Sequence, residues 1–404
     1  MLNRRDFMTI GGLTFGAFGL PSIVDADVKR KHEKAVIMIF LGGGISHQES
    51  FNASPTFAEK ARSVNGYVDT KHGFKLGGQF GKLAAVSNLF SPVLSFGHIN
   101  PSHGSATHYM MTGYNENSEE GQNHPSIGSL VNRAYGPTSP VGLPHYVALN
   151  KTHADTASYL GNTYNPFSIT EEGKRNLTLA IEKDRFQQRM LMMNMLDKEF
   201  LKSRTTQDVD GYKRQGREML LGDVREIFNG NNEPANVQDR YGKPGSFPYQ
   251  LMMARRLVEN GVKFVTINYG GWDMHTGIKE GYAARAPELD HGLSILLSDL
   301  SERGLLETTM VVATAEFSRT LLNKDAGRDH WPRLTSLLLA GGKYGGRAIG
   351  EPSVDGMEPK GDGFKPVDLL NTVLTHMEVS GKTQYTDTAG RPRFTVEGEA
   401  KIIS

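Results

Sequence analysis

Three of the chain's thirteen histidines, His98, His103 and His108, fall in the short segment from His98 to Gly113. An imidazole can ligate a metal, carry a proton or attack an electrophile, so the segment is a candidate for any of these chemistries. Carboxylates and further imidazoles recur at Ser46-His47-Gln48-Glu49, Trp272-Asp273-Met274-His275, Glu316-Phe317-Ser318-Arg319 and Arg328-Asp329-His330-Trp331. Asp273 and His275 offer an oxygen and a nitrogen ligand that suit zinc or manganese. His330 would be a third ligand, and Asp329 a ligand or an acceptor that orients an imidazole. Glu49 and Glu316 would hold a second ion, or one of them would act as general base. Arg319 or Arg328 would clamp an anionic group through a bidentate fork. His47, His98 and His108 are candidate substrate contacts beside them. Taken singly, each cluster has an ordinary reading: a solvated Asp-x-His turn, a helix-capping Glu316, a surface Arg328–Asp329 pair worth little.

What unites the clusters is the element that precedes each one. Ala35 to Leu41 reads as a buried strand ending in Gly42-Gly43-Gly44, and Ser91 to Phe96 as another. The second runs through Asn100-Pro101-Ser102, a helix N-cap signature, into a helix closed by Thr112-Gly113. Tyr146 to Leu149 is a further strand. Val262 to Tyr269 ends in Gly270-Gly271, Thr309 to Thr314 ends at Ala315-Glu316, and Leu337 to Ala340 ends in Gly341-Gly342. Continuous apolar strands alternating with helices predict an α/β fold, a mostly parallel central sheet flanked by helices on both faces. Ligands bind beyond the carboxyl ends of such strands. His103 falls in the first turn of its helix, where the dipole favours an anion and a neutral imidazole. Residues of about 175–245, rich in Met, Lys, Arg and Gln, read as a helical insertion over the sheet.

The composition narrows the classes. A chain of 404 residues, 38% of them hydrophobic, can bury a large core, and a net charge of +1 leaves no basic footprint for nucleic acid. The absence of cysteine excludes thiol catalysis, cysteine zinc sites and disulfides. Asn3-Arg4-Arg5-Asp6-Phe7-Met8 precedes an uncharged, Gly-rich run to Val24 and small residues near Ala26. This is similar to a twin-arginine export signal over residues 1–26, leaving 27–404 as the mature domain. The run is too short and too glycine-rich to span a membrane, and no other segment is long and apolar enough. The expected location is therefore periplasmic or extracellular, by way of the twin-arginine export machinery, with no stable transmembrane segment after processing.

The motifs above, in this order along nearly the whole chain, together with Leu257-Val-Glu-Asn-Gly261 and Asp299-Leu-Ser-Glu-Arg303-Gly304, carry a family resemblance. The chain resembles the bacterial family catalogued as domain of unknown function 1501, within the alkaline phosphatase and sulfatase superfamily. That resemblance implies an alkaline-phosphatase-like fold. Ser102 to Gly113 is similar to the superfamily's nucleophile helix, with His103 where serine, threonine or a modified cysteine would stand. The superfamily's Asp-x-x-x-His metal motif appears as the tighter Asp273-x-His275, and its Asp-His pair looks like Glu316-Phe317, which loses one histidine ligand. The last metal histidine matches His330. Gly42 to Gly44 lack the aspartate that ends the superfamily's first strand, and Glu49 is the nearest candidate. Arg319 follows Ser318 where the family carries Gly, and precedes Thr320-Leu321 where the family carries Thr-Pro.

The implied activity is metal-dependent hydrolysis of phosphate or sulfate esters, carbohydrate-linked ones included, with a divalent ion as cofactor. Zinc comes first, with manganese or calcium as alternatives. His103 would be ligand, general base or nucleophile, and water activation by a metal is the simpler route. The alternative is a non-catalytic envelope protein that uses the fold to bind a glycan or a partner.

Overall fold

All six side chains of the strand Ala35–Phe40 are buried, and a strand apolar on both faces needs cover on both. Each of the five side chains larger than Ala35 contributes on the order of 1.5–3 kcal/mol on leaving water. The computed structural model describes residues 33–404, except 116–123, 137, 140–141, 169–181, 183–184, 190–191, 193–215, 218 and 221–223. Glu33–Ser404 form one unit. The export signal expected over residues 1–26 lies outside the described residues, as does much of the insertion expected over 175–245. Within the insertion, Val224–Ile227 and Ala235–Tyr241 are helical. No helix among the described residues is long and apolar enough to cross a membrane.

The strands that frame the site are, in chain order, β1 (Ala35–Phe40), β2 (Phe90–Pro92), β3 (Tyr146–Leu149), β4 (Phe167–Ser168), β5 (Phe264–Asn268), β6 (Thr309–Thr314), β7 (Ser318–Leu322), β8 (Arg328–Trp331) and β9 (Leu337–Ala340). The central sheet runs β2-β9-β6-β1-β5-β3-β4. β1 pairs in parallel with β5 and β6, and β5 with β3, while β9 is antiparallel to both β6 and β2. The carboxyl ends of β1, β2, β5 and β6 therefore share one edge.

Alternate residues of each strand enter separate cores. Ile37, Ile39, Val265, Ile267, Val311 and Ala313 face α3 (Phe247–Glu259) and α4 (Ile278–Glu302), once α1 (His103–Thr112) and α2 (Ile127–Tyr135) are counted ahead of them. Val36, Met38, Phe264, Met310 and Val312 face α1, α2 and α5 (Pro366–His376). The result is the three-layer α/β arrangement that the glycine-punctuated strands imply.

Two local differences matter. The strand expected over Ser91 to Phe96 is shorter, because Pro92 has no N–H to continue the ladder. Val93 and Phe96 go on as isolated bridges to Ile349 and Phe364. Glu316 does not cap a helix; it precedes the β7–β8 hairpin, in which His330 is paired with Arg319. That hairpin carries Arg319, Asp329 and His330 back over the edge of the sheet.

Candidate metal centre

The site is assembled by close passages of backbone that only glycine permits. Gly43 has φ 102°, and a Cβ there would come within 2.7 Å of the Asp273 nitrogen. A Cβ on Gly327 would overlap the His275 carbonyl. The loop after β1 thus lies against the loop after β5, and the hairpin lies against His275. Gly43 N–H donates to Glu316 Oε1 at 2.8 Å, which ties the β1 loop to the end of β6.

Three imidazoles converge on Asp273, and their outer partners fix their tautomers. His103 Nδ1 meets Glu316 Oε1 at 2.6 Å, His275 Nδ1 meets Asp329 Oδ1 at 2.8 Å, and His330 Nδ1 meets the Pro101 carbonyl at 2.9 Å. Each partner is an oxygen acceptor, so each Nδ1 carries the proton and each Nε2 presents a lone pair. His275 Nε2 lies 3.0 Å from Asp273 Oδ1 and 3.1 Å from His330 Nε2, and His330 Nε2 lies 3.3 Å from the same Asp273 oxygen. These edges are close to the ~3.3 Å ligand separations of a tetrahedral zinc with bonds of about 2.0–2.1 Å. From the other side, His103 Nε2 stands 3.4 Å from Asp273 Oδ2. Ligand atoms of His103, Asp273 and His330 all lie within 4.8 Å of one another.

A divalent ion fits this donor set. His103 Nε2 and Glu316 Oε2 are buried and have no hydrogen-bond partner, an uncommon cost unless something else satisfies them. Lone pairs of His275 and His330 facing each other across 3.1 Å likewise call for a cation between them.

The electrostatics follow from the same contacts. Burial acts to raise the Asp273 carboxyl, but the Arg319 guanidinium, aided by His103 and His330, outweighs it and holds the group down to about 2. His103 is raised above the ordinary imidazole value by its Glu316 hydrogen bond, against partial burial, with the Glu316 and Asp273 charges adding. The helix dipole alone predicts the opposite direction, and the two carboxylates override it. His330 is lowered, chiefly by burial.

Arg319 is not a free clamp. It is fully buried, its Nε donates to Gly44 O at 2.8 Å, its Nη1 to Arg328 O at 3.0 Å, and its Nη2 to Gly43 O and, at 2.6 Å, to Asp273 Oδ1. It holds the β1 loop and orients the Asp273 carboxylate. Glu49 and Arg328 lie outside the cluster as a buried pair at 3.1 Å. Glu49 also accepts from Ser63 Oγ, Val64 N and Asn65 Nδ2. Arg328 also donates to the Lys60, Arg62 and Thr320 carbonyls. The chain itself occupies the Glu49 carboxylate and both Nη groups of Arg328, while Arg328 Nε is buried without a hydrogen-bond partner, so the structure places the two apart from the imidazole cluster.

His47 is also buried away from the cluster, between Ser318 Oγ and the Gly356 carbonyl, each at 2.7 Å. His98 donates from Nε2 to the Glu316 carbonyl at 2.6 Å and accepts from Asn100 N at 3.1 Å, so it supports the site from behind. His108 is buried within α1. The structure therefore brings together His103, Asp273, His275, Glu316, Arg319, Asp329 and His330. It adds the Pro101 carbonyl, a backbone group with no side-chain signal in the sequence.

A mostly parallel α/β sheet with an imidazole–carboxylate centre at its carboxyl edge is the class of protein these observations define. The chain belongs to the family of proteins of unknown function DUF1501, whose model matches residues 33–404. No curated protein matches the sequence. Similar solved structures include the sulfatase PsFucS1 from a Pseudoalteromonas species, 11% identical, with a TM-score of 0.40 over 86% of this chain and 68% of that one. The phosphonate monoester hydrolase SpPMH from Silicibacter pomeroyi is 10% identical, with a TM-score of 0.42 over 88% and 76%. The C-terminal periplasmic domain of EcEptC from Escherichia coli, in complex with Zn, is 9% identical, with a TM-score of 0.41 over 86% and 83%.

Proposed function

We propose that the protein is an exported, metal-dependent hydrolase of phosphate or sulfate esters, with glycan-linked esters in its range. One observation carries this reading: three imidazoles, each anchored through Nδ1 by an oxygen acceptor, direct Nε2 at Asp273. A divalent ion held there would polarise an ester oxygen and supply a water acidic enough to ionise near neutrality. The nitrogen-rich donors suit zinc and then manganese, and they suit calcium poorly, since calcium takes roughly six to eight oxygen ligands.

The chain's own groups divide the remaining work. Asp273, His275 and His330 bind, and Arg319 and Asp329 orient them. His103 completes the ligand set or takes a proton at Nε2. Glu316 holds the His103 ring through Oε1, and its partnerless Oε2 is placed to accept a proton. The free N–H groups of the first turn of α1 favour an anionic oxygen beside His103. The Arg4-Arg5 segment supports twin-arginine export, a route that carries folded and metal-loaded proteins.

The test is metal content of the purified protein, followed by turnover of a panel of phosphate and sulfate esters. Absence of a bound transition metal sinks the reading. One observation favours the non-catalytic alternative, the binding of a glycan or partner: Arg319 is committed to the chain through all three nitrogens, and Arg328 through both Nη groups. Equal, undetectable turnover by the wild type and His103→Ala across a broad panel would shift the balance to that alternative.

A further inference from the structure

The fixed charges of the centre restrict the ester it takes, an inference that rests on the metal-dependent reading above. Asp273, Glu316 and Asp329 bring three carboxylates to the three imidazoles. Among the described residues, Arg319 is the one cationic side chain hydrogen-bonded to this group. With neutral imidazoles the centre carries two negative charges, which a single divalent ion balances. An ester entering the loaded site meets a neutral centre whose guanidinium is already committed to three carbonyls and Asp273. The first-turn N–H groups of α1 receive one anionic oxygen, and a second negative charge on the ester would lie beside Glu316 and Asp329 with no guanidinium fork to receive it. The side chains of Asp273 and Asp329 are 46% and 60% exposed, so water screens this repulsion and it sets a preference of about tenfold between esters, not an exclusion.

The rim agrees with the charge. His98 N–H donates to the Pro332 carbonyl at 2.9 Å, and His330 Nδ1 donates to the Pro101 carbonyl at 2.9 Å. Segment 98–101 therefore runs beside 330–332. Ile99, between these two ties, is 74% exposed. The exposed residue of this segment beside the His330 tie is thus apolar and brings no positive charge for a dianion, and it offers surface to an organic substituent instead.

We propose that the centre takes singly charged tetrahedral esters, phosphodiesters or sulfate monoesters, in preference to dianionic phosphate monoesters. Calorimetry on the full-length zinc-loaded protein at pH 9 tests this with three non-hydrolysable probes. Phenylphosphonate is the dianion, while its monomethyl ester and benzenesulfonate are the phosphorus and sulfur monoanions. The expected result is binding about tenfold tighter for at least one monoanion. The stronger of the two identifies the source, and zinc-free protein binds none of the three. Ile99→Arg should narrow the ratio at least about threefold by supplying the missing cation. Equal or tighter binding of phenylphosphonate, no binding of any probe to loaded protein, or a ratio unmoved by Ile99→Arg overturns the proposal. Failure to bind zinc at all would instead overturn the metal-dependent reading. In turnover, bis(p-nitrophenyl) phosphate or p-nitrophenyl sulfate should be cleaved in preference to p-nitrophenyl phosphate.

Discussion

Glu316 Oε1 lies 2.6 Å from His103 Nδ1 and accepts the Gly43 N–H at 2.8 Å as well, so one carboxylate oxygen joins three elements of the site. It links the end of β6, the loop after β1 and the first turn of α1. It also fixes the His103 proton on Nδ1, which leaves Nε2 for Asp273 and for a metal.

Glu316→Gln keeps the shape of that side chain and removes its charge. The amide can turn either its oxygen or its NH₂ toward His103, so the ring loses its fixed tautomer. Loss of such an outer partner typically costs about 10–100-fold in metal affinity. Competition against a chelator measures it, and unchanged affinity would mean that Glu316 does not orient His103.

Asp273→Ala and His275→Ala each remove a donor from the triangle whose edges are 3.0, 3.1 and 3.3 Å. Both should lower metal occupancy, with the larger loss for Asp273, which also faces His103. Elemental analysis of purified variants reads this directly. Full occupancy in either variant would remove that residue from the ligand set.

The raised His103 sets a pH dependence for metal binding. In the metal-free fold the proton on Nε2 persists above the ordinary pKa of 6.5 and must leave before the nitrogen can ligate. Affinity should therefore rise with pH through neutrality by up to about tenfold per unit, and His103→Ala should flatten the profile. The linkage to folding has the opposite sense. Stability from the charged imidazole is fully present below 6.5 and is lost as pH rises through the raised folded value. A metal affinity independent of pH between 6 and 8 would contradict the His103 assignment.

Arg319→Lys tests the buried clamp. Lysine cannot reproduce a planar fork serving Gly43 O, Gly44 O, Arg328 O and Asp273 together. Stranding buried carbonyls costs about 1–3 kcal/mol each, so the melting temperature should fall by several degrees in the metal-free protein. Asp273 would also lose its main stabilising charge, and metal affinity should fall with it. An unchanged melting temperature would show that the fork is dispensable.

Much of this site was legible because strand ends and glycines are local signals. Thr309 to Thr314 and Leu337 to Ala340 form strands with the limits their apolar runs give. His103 opens a helix that ends at Gly113, which has φ 85° as a helix stop requires. Pairing over long separations was not legible. Glu49 and Arg328 stand 279 residues apart, and neither side chain signals in sequence whether it meets a ligand or a buried counter-charge. Arg319 reads the same way whether its fork faces substrate or backbone carbonyls. The β7–β8 hairpin is hidden because SRTLL and RDHW are polar and irregular, and their pairing depends on the Asn323 turn.

The buried His47 supplies a test outside the metal centre. Burial pushes it down to about 3, against the pull of the Gly356 carbonyl, so it stays neutral in the fold. The unfolded chain takes up its proton near 6.5, and the folded chain refuses it until about 3. Stability from the neutral ring is thus fully present above 6.5 and is lost as pH falls through that window. The slope is about 1.4 kcal/mol per pH unit, or a few kcal/mol in all. His98, pushed to about 4 by burial, acts in the same direction. His47→Gln retains hydrogen-bonding groups for Ser318 and Gly356 but cannot titrate. Its melting temperature should sit below wild type at pH 7.5, because the substitution disturbs a packed site. It should then fall less steeply between pH 6.5 and 4. Parallel acid limbs for the two proteins would mean that His47 takes up its proton without unfolding.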